Sequence, residues 1–206
     1  MTMILYGRYA SPFVRRVAIS LQLQGRDYEH RPIMVMGEDF EKLKTINPLG
    51  RVPALILPDG EMLIETFAIM DWIDETAPEG KALIPASGPA RREILQSVGY
   101  ANSVVEKGVA LVNDKNRRPE EFRWPEWIAR LEGQIAAGLD VLEARAPESG
   151  WLGGDAPDAA DIALVIAQDF FGAANPYLLE PPRPRLAALA ARAAEVEAFS
   201  ATAPKF

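Results

Sequence analysis

The chain of 206 residues contains no cysteine and a single histidine. The first absence removes disulfides, thiolate zinc sites, iron–sulfur clusters and a cysteine nucleophile together. The second leaves no histidine pair for a metal, and any Ser-His-Asp triad would have to recruit His30. Basic residues are also scarce: 22 Lys and Arg face 29 Asp and Glu, a formal net charge of -7, whereas nucleic-acid-binding surfaces are basic. No apolar run approaches the ~20 residues that span a bilayer. The start, Met1-Thr2-Met3-Ile4-Leu5-Tyr6, lacks the basic residues and long apolar stretch of a secretory leader. Neither a Walker loop nor a dinucleotide glycine fingerprint occurs. The expectation is a soluble, cytoplasmic protein that binds neither nucleic acid nor membrane and carries no metal.

What is present is a hydrophobic content of 49%, enough for a sizeable core and too much for disorder. Up to about residue 78, short apolar runs alternate with amphipathic stretches. Ile4–Tyr6 and Tyr28–Ile33 read as strands, and Ala54–Leu57 and Glu61–Ile64 flank the turn Pro58-Asp59-Gly60 as a hairpin. Phe13, Val14, Val17, Ala18 and Leu21 form one face of a helix that starts at Ser11-Pro12. Ile69, Trp72, Ile73 and Ala77 do the same for a helix that starts near Glu65. The stretch 79–89 carries Gly80, Pro85, Gly88 and Pro89 and reads as a linker. All but seven alanines lie at position 90 or later, so the remainder, 90–206, reads as helical throughout. Apolar spacing at Ile94, Val98, Ala101 and Val105, and again at Ile128, Leu131, Ile135, Leu139 and Leu142, supports that reading. Ile162–Ala167 is apolar on every side, as a central buried helix would be.

Several junctions carry residues with chemistry to offer. Ser11 before Pro12 is a natural helix cap with proline at the first helical position. A cap oxygen accepts from the backbone while its own proton stays free for a ligand. A thiolate placed there would meet that donor and the positive end of the helix dipole. In such surroundings thiol pKa values fall from ~8.5 towards neutrality, and two units correspond to roughly 2.7 kcal/mol of preference for the anion. Tyr6 in the first strand and Tyr9 in the following loop carry further hydroxyls. Val52-Pro53 is a candidate cis step that would turn Val52 N–H and C=O outward. Glu65 and Thr66 open a helix whose amides can hold a carboxylate. Asp158-x-x-Asp161 has the spacing of a capping box at the start of the apolar helix. Arg91-Arg92 and Arg117-Arg118 read as solvated helix charges, and Phe170, Phe171, Trp124 and Trp127 as core or interface aromatics.

Taken in order, Ser11-Pro12-Phe13-Val14-Arg15-Arg16-Val17, Asn47-Pro48-Leu49-Gly50-Arg51-Val52-Pro53-Ala54-Leu55, Glu65-Thr66 and Trp151-Leu152-Gly153-Gly154-Asp155-Ala156-Pro157-Asp158-Ala159-Ala160-Asp161-Ile162 span nearly the whole chain. This set resembles the cytosolic glutathione S-transferase family, in its bacterial form with a serine at the active site. The resemblance implies an α/β thioredoxin-like N-terminal domain over 1–78, the linker at 79–89 and an all-α C-terminal domain over 90–206. It implies a glutathione transferase, with glutathione as cosubstrate, no other cofactor, and a small hydrophobic electrophile as second substrate, in a detoxifying role. Ser11 is then the hydrogen-bond donor to the glutathione sulfur, with Tyr6 or Tyr9 as alternatives. Arg51, Val52, Pro53, Glu65 and Thr66 are the expected glutathione contacts, with Thr66 where the family usually has serine. Tyr9, Phe13, Tyr100, Val104 and Lys107 are the expected cosubstrate pocket, while Asp158 and Asp161 cap a helix. A homodimer is the family's usual state. The lack of cysteine excludes mixed-disulfide chemistry. The lack of a Ser-Ser-Cys run speaks against the maleylacetoacetate-isomerase branch. Two other readings stay open: a non-catalytic adaptor on the same scaffold, and a glutathione-dependent peroxidase or disulfide reductase.

Overall fold

The computed structural model describes residues 2–204. Its first unit comprises Met1–Leu83 together with Val196–Phe206, and its second Ile84–Glu195. In the first unit, strands β1 (Met3–Tyr6), β2 (Tyr28–Arg31), β3 (Ala54–Ile56) and β4 (Met62–Ile64) form one mixed sheet in the order β2-β1-β3-β4. β1 pairs parallel with β2 (Leu5 beside His30) and antiparallel with β3 (Leu5 beside Leu55). The parallel pair needs a crossover, which helix α1 (Pro12–Leu23) supplies. β2 stops at Arg31 rather than continuing to Ile33, because Pro32 has no N–H to give to a ladder. Helices α2 (Glu38–Ile46) and α3 (Thr66–Glu75) complete the layer arrangement, β-α-β-α-β-β-α.

The core of this unit lies where α1 and α3 meet the sheet. Leu5, Val14, Val17, Leu21, Leu55, Ile69 and Ile73 are fully buried there. Each such side chain contributes ~1.5–3 kcal/mol relative to an exposed one. The chain end also belongs to this unit, although sequence alone assigns it to the helical domain. Helix α8 (Glu197–Ser200) packs on α1. Ala198, Phe199 and Thr202 are buried, and Arg15 Nη2 donates to Phe199 O over 3.4 Å. The neighbouring Arg16 is buried as well, which lowers its guanidinium to about 10 against the opposing field of Asp74.

The second unit is helical: α4 (Gly88–Val112), α5 (Pro125–Arg145), α6 (Ala159–Ala174) and α7 (Pro184–Ala194). α4 reaches back to Gly88, into the stretch read as linker. It packs along both α5 and α6 because small residues let the helices approach. A Cβ at Gly108 would lie 2.7 Å from the rings of Phe170 and Phe171, and one at Gly138 would lie 2.2 Å from Val104 Cγ2. α6 is buried from Ala159 to Ala167 and apolar from Ile162 to Ala167. Phe170 and Phe171 are core residues, but Trp124 is 62% exposed. Trp127 is held at the surface by its Nε1, which donates to Asp114 Oδ2 over 2.9 Å. Arg118 Nε donates to the other oxygen of the same carboxylate, so this arginine is paired rather than simply solvated.

Candidate active site at the β1–α1 turn

Three helix starts in the chain carry candidate residues, and they are finished differently. At α6, Asp158 Oδ1 accepts from Ala160 N (2.7 Å) and Asp161 N (3.0 Å), while Asp161 Oδ2 accepts from Asp158 N (3.0 Å). This is a closed capping box. Asp161 also accepts from Leu152 N and Gly153 N, which ties the Trp151–Gly154 turn to the helix. Burial raises both carboxyls, Asp158 to about 6 against the pull of its amide bonds. These two residues serve the fold of the helical unit.

At α1, Ser11 is the N-cap and its Oγ accepts from Val14 N at 3.4 Å. Pro12 sits at the first helical position, as its fixed φ and missing N–H allow. Among the described residues no protein acceptor takes the Ser11 hydroxyl proton. The competing hydroxyls are both engaged. Tyr6 OH accepts from Arg31 Nη1 at 2.8 Å, with that guanidinium also over the Tyr6 ring. Tyr9 OH shares a 2.8 Å hydrogen bond with Tyr28 OH, and burial together with that bond pushes the Tyr9 phenol well above its ordinary range. Ser11 and Tyr6 thus both accept through oxygen, but the Tyr6 oxygen is bound to a guanidinium in the sheet, whereas half-buried Ser11 stands at a helix start.

At α3 the finish is different again. Its N-cap position is Glu65, whose side chain makes no capping bond, and no acidic residue lies in the first turn. Among the described residues no side chain caps this helix start, which Thr66 opens. Glu65 is moreover the one non-glycine residue at positive φ among the described residues (φ 66, ψ 131). Such a backbone costs on the order of 1–3 kcal/mol and is retained where the surroundings require it. Sequence reading gives no hint of this strain. The Glu65 carboxylate pairs with Arg51 Nη1 at 3.2 Å, both side chains largely exposed, so the pair adds little to stability.

Between the two helix starts runs the loop before β3. The Val52-Pro53 bond is cis, and among the described residues no protein hydrogen bond uses Val52 N–H or C=O. Buried Asn47, which opens the motif noted in the sequence but is given no role there, shapes this loop: its Nδ2 donates to Arg51 O (2.8 Å) and its Oδ1 accepts from Leu49 N (3.0 Å). Gly7 is a second unmarked contributor. It adopts φ +121, and a Cβ there would lie 2.4 Å from Val14 Cγ2 and 2.9 Å from Val52 Cβ. The bare backbone of Gly7 thus lets the start of α1 and the Val52 loop come together. The only cue in the sequence is a glycine directly after a strand.

Of the cosubstrate-pocket candidates, Tyr9 and half-buried Phe13 belong to the first unit. In the second, Tyr100 is exposed with the Arg145 guanidinium 5.1 Å from its ring centre, and Lys107 is half-buried. Val104 is buried against Gly138 on α5 and is a core residue of the helical unit rather than a lining residue. The described residues hold no group of His, Asp and Glu that could bind a metal ion. None of their helices is long and apolar enough to cross a membrane.

Comparison with known proteins bears on both units. Residues 5–81 match the family model for the glutathione S-transferase N-terminal domain, and residues 125–192 the one for its C-terminal domain. A maleylacetoacetate isomerase of Pseudomonas aeruginosa is 33% identical over 183 residues, which cover 84% of each chain. Glutathione S-transferase Z1 of Arabidopsis thaliana is 28% identical over 210 residues, 98% of this chain and 91% of that protein. A solved glutathione S-transferase from Methylobacillus flagellatus, with glutathione bound, superposes with a TM-score of 0.89 at 26% identity, covering 99% of this chain and 100% of that one.

Proposed function

This chain belongs to the glutathione S-transferase family, and from that premise we propose that it lowers the thiol pKa of bound glutathione at Ser11 and directs the thiolate at a small hydrophobic electrophile. The observation that supports this reading is the Ser11 hydroxyl at the N-cap of α1, its oxygen accepting from Val14 N and its proton taken by no described residue. Ser11 cannot act as a base; it donates. Its hydroxyl and the opening turn of α1 together favour a negative sulfur. The electrophile then reacts with a thiolate already held in place, which saves the entropy of a bimolecular encounter.

The rest of the tripeptide is read onto the same unit. Val52 N–H and C=O pair with the cysteinyl backbone in the manner of an added strand. The α3 amides and the Thr66 hydroxyl take the γ-glutamyl carboxylate. Glu65 faces the γ-glutamyl ammonium and Arg51 the glycine carboxylate, each giving up the other as partner. The strained backbone at Glu65 is consistent with a residue held for binding. Within the first unit, Tyr9 and Phe13 are read as second-substrate contacts.

A second reading has its own support. The maleylacetoacetate isomerase relative brings back a branch that the missing Ser-Ser-Cys run argues against. Both reactions begin with the same thiolate. In an isomerase it adds to a conjugated double bond, the resulting single bond rotates, and expulsion of the thiolate restores the double bond and the glutathione. The two are separated by incubating the protein with glutathione and, in turn, an aryl halide and maleylacetoacetate. Consumption of thiol with the halide supports the transferase. Geometric isomerisation without thiol loss supports the isomerase. A protein that neither binds glutathione nor turns over either compound is the adaptor, and the enzymatic reading fails. We further read the protein as a symmetric dimer. The exposed apolar residues Leu49 and Phe67 of the first unit support this, and a scattering mass near 22.6 kDa would refute it.

A further inference from the structure

We propose that His30 is a positioning residue for the turn that presents Ser11, gripping that turn through the Gly7 carbonyl and the Tyr9 ring without touching substrate. The proposal rests on the reading of Ser11 as donor to the glutathione sulfur. The turn, residues 7–10, joins β1 to α1 and is half-buried apart from Gly7. Its backbone bonds are few: Gly7 N donates to Arg31 O and Ser11 N to Arg8 O. Arg8 Nη1 donates to Met34 Sδ, and side chains of β2 add further contacts. His30 Nε2 lies 2.7 Å from Gly7 O, and since a carbonyl only accepts, Nε2 carries the proton. The same imidazole stacks on Tyr9, with ring centres 3.9 Å apart and planes 5° from parallel. Tyr9 OH meets Tyr28 OH, which accepts from Gln22 Nε2 at 3.0 Å.

Tyr28 and His30 stand two residues apart on β2, so they share one face of the sheet. Gln22 belongs to α1, the helix that Ser11 caps. The contacts therefore close a ring: α1 through Gln22 to β2, β2 through His30 to the turn, and the turn through Ser11 back to α1. Hydrogen-bond strength falls with length and misalignment, and a small misplacement of a positioned group is expensive in rate. Whatever lets residues 7–10 drift lengthens the Ser11–sulfur bond. It leaves the contacts at Val52 and Thr66 in place. His30 thus acts on the thiol pKa and turnover more than on glutathione affinity.

The test uses the full chain with glutathione as probe. It reads the thiolate absorbance against pH, kcat and KM for glutathione, and amide exchange over residues 8–11 without ligand. His30→Phe keeps a stacking ring and removes the donor. It is expected to raise the bound thiol pKa by about one unit and lower kcat near neutral pH by about tenfold, with KM for glutathione moving less than about twofold and exchange in the turn accelerating. His30→Gln, whose amide nitrogen reaches the Nε2 position, is expected to reverse most of the pKa shift. Tyr28→Phe, which removes one hydroxyl, is expected to produce a smaller shift of the same sign. Unchanged thiol pKa and unchanged exchange in His30→Phe overturn the proposal, as does a shift that His30→Gln shares in full. Should His30→Phe fail to fold, Tyr28→Phe decides alone: a raised thiol pKa at constant KM supports the grip, and no change overturns it. If wild-type protein shows no thiolate band, the transferase reading fails, and the exchange data still judge the grip by the same criterion.

Discussion

Replacing Gly7 by alanine tests the closeness of the two halves of the site. The perturbation has two parts. At φ +121 an L side chain is strained whatever the space, at a cost of about 1–3 kcal/mol. The added methyl would also sit 2.4 Å from Val14 Cγ2 and 2.9 Å from Val52 Cβ. Val14 is fully buried and has nowhere to go, so overpacking adds about 1–3 kcal/mol. The sum, about 2–6 kcal/mol, is a large part of the ~5–15 kcal/mol that holds a domain folded. Gly25 supplies the control: it is also left-handed, at φ +70, but a Cβ there meets nothing within 4 Å. Gly25→Ala should cost only the ~1–2 kcal/mol of a left-handed L residue. Urea unfolding of the three proteins, compared at equal m-value, measures the difference. Equal losses in the two variants would refute the steric reasoning, because strain alone would then account for both. A folded Gly7→Ala protein should also bind glutathione less well, since the displaced residues are Val14, at the start of α1, and Val52.

Further outcomes follow from the same geometry. Ser11→Ala should lose a cap worth ~0.5–2 kcal/mol and raise the pKa of bound glutathione, read by thiolate absorbance; Tyr6→Phe should leave that pKa where it is. If Tyr6→Phe raises it and Ser11→Ala does not, the donor has been misassigned. Glu65→Gly should relieve the positive φ and raise the unfolding free energy by about 1 kcal/mol while weakening glutathione binding in calorimetry; a less stable variant would show that the backbone there is unstrained. Asp158 gives a pH test. Its folded carboxyl is raised to about 6 by burial from an ordinary 3.8, so the folded chain binds this proton more readily than the unfolded one. The group therefore favours folding at low pH, and that contribution is lost as pH rises from about 4 to about 6. Asn has no proton to lose, so the stability deficit of Asp158→Asn should shrink over that interval in urea titrations. A deficit that widens with pH would mean that the amide bonds to the carboxylate outweigh its burial.

Local rules made much of the architecture legible. The hairpin announced itself through Pro58-Asp59-Gly60, α1 through Ser11-Pro12, and α6 through Asp158-x-x-Asp161 before an apolar run, because a turn or a cap is written within a few residues. The motifs at Ser11, Val52-Pro53 and Glu65-Thr66 pointed to the family for the same reason. What escaped were relations between distant residues. Nothing local to Gly7 reports that Val14 and Val52 crowd it, and nothing near His30 reports that Tyr9 stacks on it. Trp124 has the composition of a core residue but is largely exposed, and Val104 has the position of a lining residue but packs against Gly138. The positive φ at Glu65 is invisible because glutamate has no preference for it; the surrounding fold imposes it.

The return of the chain end to the first unit sets an order of events during synthesis. Residues 2–83 leave the ribosome early, yet the α8 segment that covers α1 and meets Arg15 emerges only after the whole helical unit has been made. The opening unit must wait, with that face of α1 uncovered, while the helical unit already has its full sequence available. Removal of residues 196–204 is therefore felt at the helix that Ser11 begins.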